Sequence, residues 1–347
     1  MFIKFAATCT LLASLTLTAT PATAQKAEAF KEKKVETAEK AKRAEPVFWR
    51  DPGDIRAKNL FYGPGGKDGQ PKTPFKYMKE DKEGTSPKFE VEDASGVKWK
   101  AKLGAETQPE AVASRLLWAV GYYANTNYVI PEAAIPDLTT KQKRGHKLIG
   151  AGGQIKNVRL QRASEDWKKV GDWNWRDKRY KGHRDFNGLR VMMAVLSNWD
   201  LKGENNALFT EKDDPDKVFY ATSDVGASFG TSGRTYNDAL TKNNLGAYAS
   251  HKFVSKVTKD YVDLNFPTHP SIVHIFMFEW IWYFHQMRNH WVGRHIPIED
   301  ARWAGALLGK LSHEQIRDAF RAANYSPDQV EKFAQALESR IADLQKL

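Results

Sequence analysis

The sequence predicts an α+β fold with sheet and helices segregated along the chain, as a small antiparallel-sheet lobe with one helix followed by a larger, mainly helical lobe. Three observations predict it. Short strand patterns follow one another between residues 75 and 103, an apolar helix pattern comes directly after them, and the C-terminal half reads as helices around one hairpin.

The first strand runs from Phe75 to Lys79. The second, Lys88 to Glu92, alternates Phe89 and Val91 against charged residues. The third, Val97 to Leu103, sets Val97, Trp99, Ala101 and Leu103 on one face and Lys98, Lys100 and Lys102 on the other. Ala94-Ser95-Gly96 supplies the turn between the second and third. Pro109 lies in the first turn of a helix whose Val112, Ala113, Leu116, Leu117 and Val120 form one apolar face, with Gly121 near its end. Val158 to Gln161 reads as a further strand, and Gly188 to Trp199 as a strongly apolar helix. Ala207 to Phe209 and Val218 to Ala221 flank a polar loop and read as a hairpin. Beyond residue 268 helices dominate. Ile272 to Phe284 carries His274 and Glu279 and so reads as a buried helix rather than a membrane span. The last two helices begin near Ser312 and Ser326.

These elements place the small lobe at about 75–160 and the helical lobe at about 165–347. Upstream, residues 25–74 read as a charged linker followed by an irregular segment rich in Pro and Gly. The first 24 residues have the pattern of a secretory signal peptide: Lys4, an apolar stretch from Phe5 to Leu17, and Ala22-Thr23-Ala24 as the cleavage site. Cleavage after Ala24 predicts a secreted or periplasmic protein with no transmembrane span.

The 347-residue chain is 41% hydrophobic and 27% charged, which excludes a disordered or collagen-like polymer. Its one cysteine, Cys9, falls in the segment expected to be removed. A thiol nucleophile, a disulfide and a zinc–thiolate site are therefore excluded from the mature chain. The net charge of +11 suits an anionic partner without naming one.

The informative stretch is Asp200-Leu201-Lys202-Gly203-Glu204-Asn205, which follows an apolar helix and enters a strand. On the far side of the hairpin comes Asp224-Val225-Gly226. Asn205 and Asp224 flank opposite strands of one hairpin, and Asp200 stands at its entrance. This ordered set resembles the catalytic core of the protein-kinase-like fold, and more closely its atypical branch: the HipA-type toxin kinases, the spore-coat CotH kinases and the secretory-pathway casein kinases. In those families too the residues before the catalytic Asp are replaced, here by Asn198-Trp199, and the glycine loop is irregular. Glu110-Ala111-Val112-Ala113-Ser114-Arg115-Leu116 is similar to their helix. The resemblance implies that Asp200 orients or deprotonates an acceptor hydroxyl. It makes Lys202 the stabiliser of the transferring phosphate, and Asn205 and Asp224 the ligands of Mg²⁺ or Mn²⁺. It further implies that Lys102 contacts the phosphates of ATP or another nucleotide and is held by Glu110. Gly84, Thr85 and Ser86, between the first two strands, take the place of the phosphate-cradling loop.

Glu106 rivals Glu110 as the partner of Lys102, and Thr107-x-x-Glu110 also fits a helix capping box. This sequence departs from the family pattern at Val225, in lacking Ala-Pro-Glu, and in the eight residues between Lys102 and Glu110. His285, His290 and His295 are spaced by five, which does not set two ligands on one helix face. Trp167, Trp173 and Trp175 alternate with basic residues and read as packing onto the domain, so a nucleic-acid partner is not expected. Two functions follow. One is an exported phosphotransferase acting on an unidentified protein, sugar or small-molecule hydroxyl. The other is a catalytically inactive kinase-like binding module at the cell envelope.

Overall fold

The computed structural model describes residues 36, 39–41, 43–84, 86–162, 166–214, 216–230, 242–250, 252–265 and 289–347. The expected signal peptide, Thr85 and the expected helix from Ile272 to Phe284 lie outside these. Among the described residues no helix is long and apolar enough to cross a membrane.

A five-stranded antiparallel sheet is built from β1 (Lys76–Asp81), β2 (Lys88–Glu92), β3 (Lys98–Lys102), β4 (Asn127–Ala134) and β5 (Gln154–Arg162), in the order β1-β2-β3-β5-β4. Strands β2 and β3 pair through a turn that Asp93 organises. Its carboxylate accepts from the amides of Ser95 and Val97, at 2.8 and 3.0 Å, and from the Trp99 indole at 2.9 Å. Helix α1 (Thr107–Ala119) is inserted between β3 and β4 and packs on β4 and β5. It ends at Gly121, whose φ is +101°. A side chain there would meet the Arg50 carbonyl and the Trp49 indole, so only glycine fits.

After the short helix α2 (Leu138–Lys141), a second sheet pairs β6 (Trp167–Gly171), β7 (Asn206–Glu211) and β8 (Val218–Thr222), with α3 (Arg184–Leu196) between β6 and β7. Helix α4 (Leu245–Ala249) precedes a small third sheet of β9 (Val254–Val257), β10 (Tyr261–Leu264) and β11 (Ile296–Pro297). The chain closes with α5 (Ile298–Leu308), α6 (His313–Arg321) and α7 (Pro327–Gln345). Both of the last two helices start on a full capping box, Ser312 with Gln315 and Ser326 with Gln329.

The described residues form two hydrophobic clusters. The smaller lies on one face of the five-stranded sheet around Phe89, Val91, Trp99 and Leu160. The larger gathers α1, α3, the second sheet and α5 to α7. Helix α1 thus belongs by packing to the larger core, and the two-lobe division expected from the sequence is less clean than its element order suggests. The C-terminal part also holds more strand than expected, in β6 and β9 to β11.

Among its described residues the segment expected to be linker and irregular structure has no strand, yet Phe48, Ile55 and Leu60 are core. Phe48 is 0% exposed and packs edge-on or tilted against Trp173, Tyr180, Phe186 and Tyr220, with ring centroids 4.9–5.3 Å away. Gln315 of α6 donates to the carbonyls of Ile55 and Lys58, at 2.9 and 2.7 Å, and ties that stretch down. Trp173 and Trp175 are buried in the same aromatic group, as their expected packing role requires.

Helix α3 stops at Ser197, three residues before Asp200, because Ser197 takes a left-handed conformation at φ +52°. The expected helix through Trp199 is therefore too long. Arg340 of α7 braces this end. Its guanidinium donates to the carbonyls of Ala194 and Val195 and to the Ser197 hydroxyl, at 2.8–3.1 Å, so a cation caps the helix C-terminus.

Candidate active site

Lys102 ends β3, directly opposite Arg159 on β5. Opposite residues on paired strands share a face, so two cations meet there. The alternation of β3 places Lys102 with Lys98 and Lys100, but only Lys102 is buried, because α1 covers that end of the sheet. Glu110, in the first turn of α1, resolves the clash. Its Oε2 lies 3.0 Å from the Lys102 ammonium and its Oε1 3.3 Å from the Arg159 guanidinium. Lys102 and Glu110 are each 1% exposed. The capping-box alternative for Glu110 is not formed: the N-cap residue is Glu106, with no side-chain cap, and the Thr107 hydroxyl donates instead to Gly104.

Glu106 also reaches Lys102, at 2.6 Å. A tight turn at Gly104, φ +105°, brings it there. Both rival carboxylates are therefore partners of the same lysine. Asp224, on the segment leaving β8, completes the set with both carboxylate oxygens 3.2 Å from the Lys102 ammonium and its side chain 38% exposed. Burial alone would lower the Lys102 ammonium, but Glu110, Asp224 and Glu106 outweigh it and hold it above its ordinary value. Burial would raise Glu106, yet Lys102 and Lys242 hold it well below the usual carboxylate range. Burial pushes the fully enclosed Glu110 up, against the pull of Arg159 and Lys102.

The D-L-K-x-x-N stretch joins this cluster through its backbone. The Asn205 carbonyl accepts from the amides of Ser223 and Asp224, both at 2.9 Å, which fixes the two expected metal ligands side by side. The Asn205 amide nitrogen donates to the Asp200 carbonyl at 2.7 Å, leaving Oδ1 as the acceptor end of that side chain. Asp200 Oδ1 is buried and accepts no hydrogen bond; the Lys202 ammonium lies 3.0 Å away but is aligned only toward Oδ2, at 3.4 Å. Gly226 is required by packing, since a Cβ there would come within 2.7 Å of the Glu106 Cβ.

Of the expected phosphate loop, Gly84 has φ +64° and its carbonyl accepts from Arg144 at 2.8 Å. The Ser86 hydroxyl donates to Glu106 at 3.0 Å. Ser86 thus touches the cluster around Lys102 through Glu106. The structure brings Lys102, Glu110, Ser86 and Asp224 to one cluster, with Asn205 and Asp200 linked to it by backbone. Lys202 stands beside Asp200, and Gly84 at the rim of the loop. Arg159 and Lys242 were not legible as site residues. Arg159 sits in an ordinary strand pattern, and nothing near Lys242 marks it.

Asn205 and Asp224 offer an amide oxygen and a carboxylate, a donor set suited to Mg²⁺ or Mn²⁺. Among the described residues no group of three or more His, Cys, Asp or Glu could hold a metal unaided. A metal here would take its remaining ligands from phosphate and water, as Mg²⁺ commonly does. A cleft of about 760 Å³ adjoins Gly203, Glu204 and Leu208, with Trp173 and Arg179 among its walls. None of Lys102, Glu106, Glu110 or Asp224 lines it, so the charge cluster and not this cavity marks the site.

No protein-family model matches the chain, and no curated protein matches it. Among solved structures it is similar to that of a Helicobacter pylori proinflammatory kinase, CtkA. The match covers 78% of this chain and 97% of that one at 10% identity, with a TM-score of 0.33. Likeness at that level identifies neither a family nor an activity.

Proposed function

We propose that this chain is an exported, metal-dependent phosphotransferase of kinase-like fold, moving a nucleotide phosphoryl group to a hydroxyl acceptor. The observation that carries the reading is the convergence of Lys102, Glu110 and Asp224. They come from a strand, a helix and the exit of a hairpin, and they meet in one cluster beside Asn205. Phosphoryl transfer needs little covalent help and much positioned charge, which is what this cluster concentrates.

Lys102, held by Glu110, would take the nucleotide phosphates. Asp200 would orient the acceptor and receive its proton on the carboxylate as the hydroxyl oxygen bonds to phosphorus and the bond to the leaving diphosphate breaks. Lys202 beside it would offset the charge on the moving group. A Mg²⁺ or Mn²⁺ on Asn205 and Asp224, when bound, would neutralise phosphate charge.

Calorimetric titration with ATP and Mn²⁺ tests this. Wild type should bind nucleotide only with metal, and Asp224→Ala should weaken binding about tenfold or more. Asp200→Ala should spare binding while reducing any transfer rate. Wild-type protein that binds no nucleotide with Mn²⁺ would end the kinase reading. Binding without transfer to any acceptor, or to water, would favour the inactive binding module.

A further inference from the structure

We propose that Lys242 is a second phosphate-binding cation of this site, and that Glu106 is a placeholder anion which the phosphates of a nucleotide displace. This rests on the phosphotransferase reading and deepens it. Glu106 and Glu110 both touch Lys102, but they are held differently. Glu110 is enclosed, with one oxygen on Lys102 and the other on Arg159. Glu106 is 16% exposed, caps nothing, and holds its carboxylate between two ammonium groups, Lys102 and Lys242, each at 2.6 Å. The Ser86 hydroxyl, from the loop where a phosphate cradle is expected, donates to the same carboxylate. One anion accepting from two lysines and a loop hydroxyl is the environment a phosphate group would occupy.

Lys242 is well placed to stay behind when Glu106 leaves. The residues after it are stitched to the chain just beyond Asp224-Val225-Gly226. The Asn243 amide donates to Ser228 at 3.0 Å and the Asn244 amide to Phe229 at 2.7 Å. Its ammonium lies 5.9 Å from the centre of the Trp199 ring, next to Asp200. Its backbone is thus tied to the segment after Asp224, and its ammonium lies near the residue before Asp200. Charge supports the exchange. Lys102, Arg159 and Lys242 face Glu106, Glu110 and Asp224, three cations against three carboxylates. Moving Glu106 out leaves a net positive site, which a phosphate restores to balance.

The test is calorimetric titration of Mn²⁺ with ATP, and separately with AMP, into wild type, Glu106→Gln, and Glu106→Gln combined with Lys242→Gln. Removing the competing carboxylate should tighten ATP binding roughly tenfold. Adding Lys242→Gln should reverse that gain, because Lys242 then has no ammonium to offer phosphate. AMP, which lacks the outer phosphates, should show neither change. Glu106→Asp, one methylene shorter, should give an intermediate gain and serves if Glu106→Gln fails to fold. If wild type binds ATP and Glu106→Gln binds no tighter, Glu106 is not a placeholder, while the phosphotransferase reading stands. If the double variant binds as tightly as Glu106→Gln, Lys242 does not touch phosphate. If no form binds ATP or AMP, both readings fall together.

Discussion

Replacing Lys102 with Met removes the cation that Glu106, Glu110 and Asp224 share and leaves a methylene stem of similar length in its place. Breaking a buried ion pair from one side costs about 3–5 kcal/mol, because the remaining charge is left unpaired. Unfolding 347 residues carries an entropy of about 0.7 kcal/mol/K, so Tm should fall by about 4–7 °C. The loss should also depend on pH in a definite direction. Glu110 has its folded-state pKa raised by burial, and losing Lys102 raises it further. A carboxyl with a raised folded pKa favours the folded state at low pH and loses that advantage as pH rises through the folded value. The variant should therefore be weakest near pH 8 and recover as Glu110 protonates. In wild type, Glu106 is depressed and works the other way. Its stabilisation is present above the ordinary 4.5 of a free glutamate and is lost as pH falls. The gap between the two proteins should narrow as pH falls from 8 toward the ordinary 4.5 of a free glutamate. Differential scanning calorimetry of wild type, Lys102→Met and Lys102→Gln at both pH values measures it. A Tm difference that stays constant across that range would refute the idea that Lys102 neutralises these carboxylates.

Other consequences can be checked directly. Arg340→Met removes the guanidinium that joins the end of α3 to the Ser197 hydroxyl and the Tyr248 carbonyl, so urea denaturation should show a loss of about 2–4 kcal/mol. Phe48→Ala empties an aromatic cage in what sequence alone reads as irregular chain, and should cost about 3–5 kcal/mol by the same measurement. A cost near zero would return that segment to linker status. Mass spectrometry of the exported protein should find a mature N-terminus at Gln25, and a retained Met1 in a soluble cytoplasmic product would contradict export.

What the sequence showed depended on whether a local rule decided the structure. β2 was legible to the residue because Phe89 and Val91 alternate cleanly on a half-buried strand. The starts of α6 and α7 were legible because amphipathic spacing follows Ser312 and Ser326, and both serines cap their helices. β4 was not, because Pro131 interrupts it. The structure makes β4 an edge strand, where a missing amide donor is tolerated, and Asn157 opposite adopts φ +49° to accommodate it. β9 to β11 are four residues or fewer, too short for any period to emerge. At the site, Asp200, Lys202, Asn205 and Asp224 were legible as an ordered motif. The burial of Lys102 was not, since only the tertiary position of α1 separates it from Lys98 and Lys100. Glu106 was visible as a rival and is instead a second partner, because Gly104 turns the chain back on itself. Lys242 depends wholly on long-range packing.

The site is assembled from two sides, and the contacts between them are the ones a ligand would disturb. Lys102, Glu110 and Arg159 are fixed by the sheet and α1. Asp200, Asn205 and Asp224 are fixed by α3, β7 and β8, with Arg340 bracing the turn between α3 and Asp200. The sides share a core through α1 and a backbone bridge from Ala124 to Thr222, and at the charge cluster they meet in the Lys102–Asp224 pair, the Glu106–Lys242 pair and the close approach of Glu106 to Gly226. A metal that engages Asp224 competes with Lys102 for its oxygens, and phosphates compete with Glu106 for Lys102 and Lys242. Metal and nucleotide would each loosen a contact that the other then has less cost in breaking, which is positive coupling between the two. Reciprocity then requires that ATP raise the affinity for Mn²⁺ by the same factor that Mn²⁺ raises the affinity for ATP. The coupling should shrink in Glu106→Gln, where one of the two contacts is already gone.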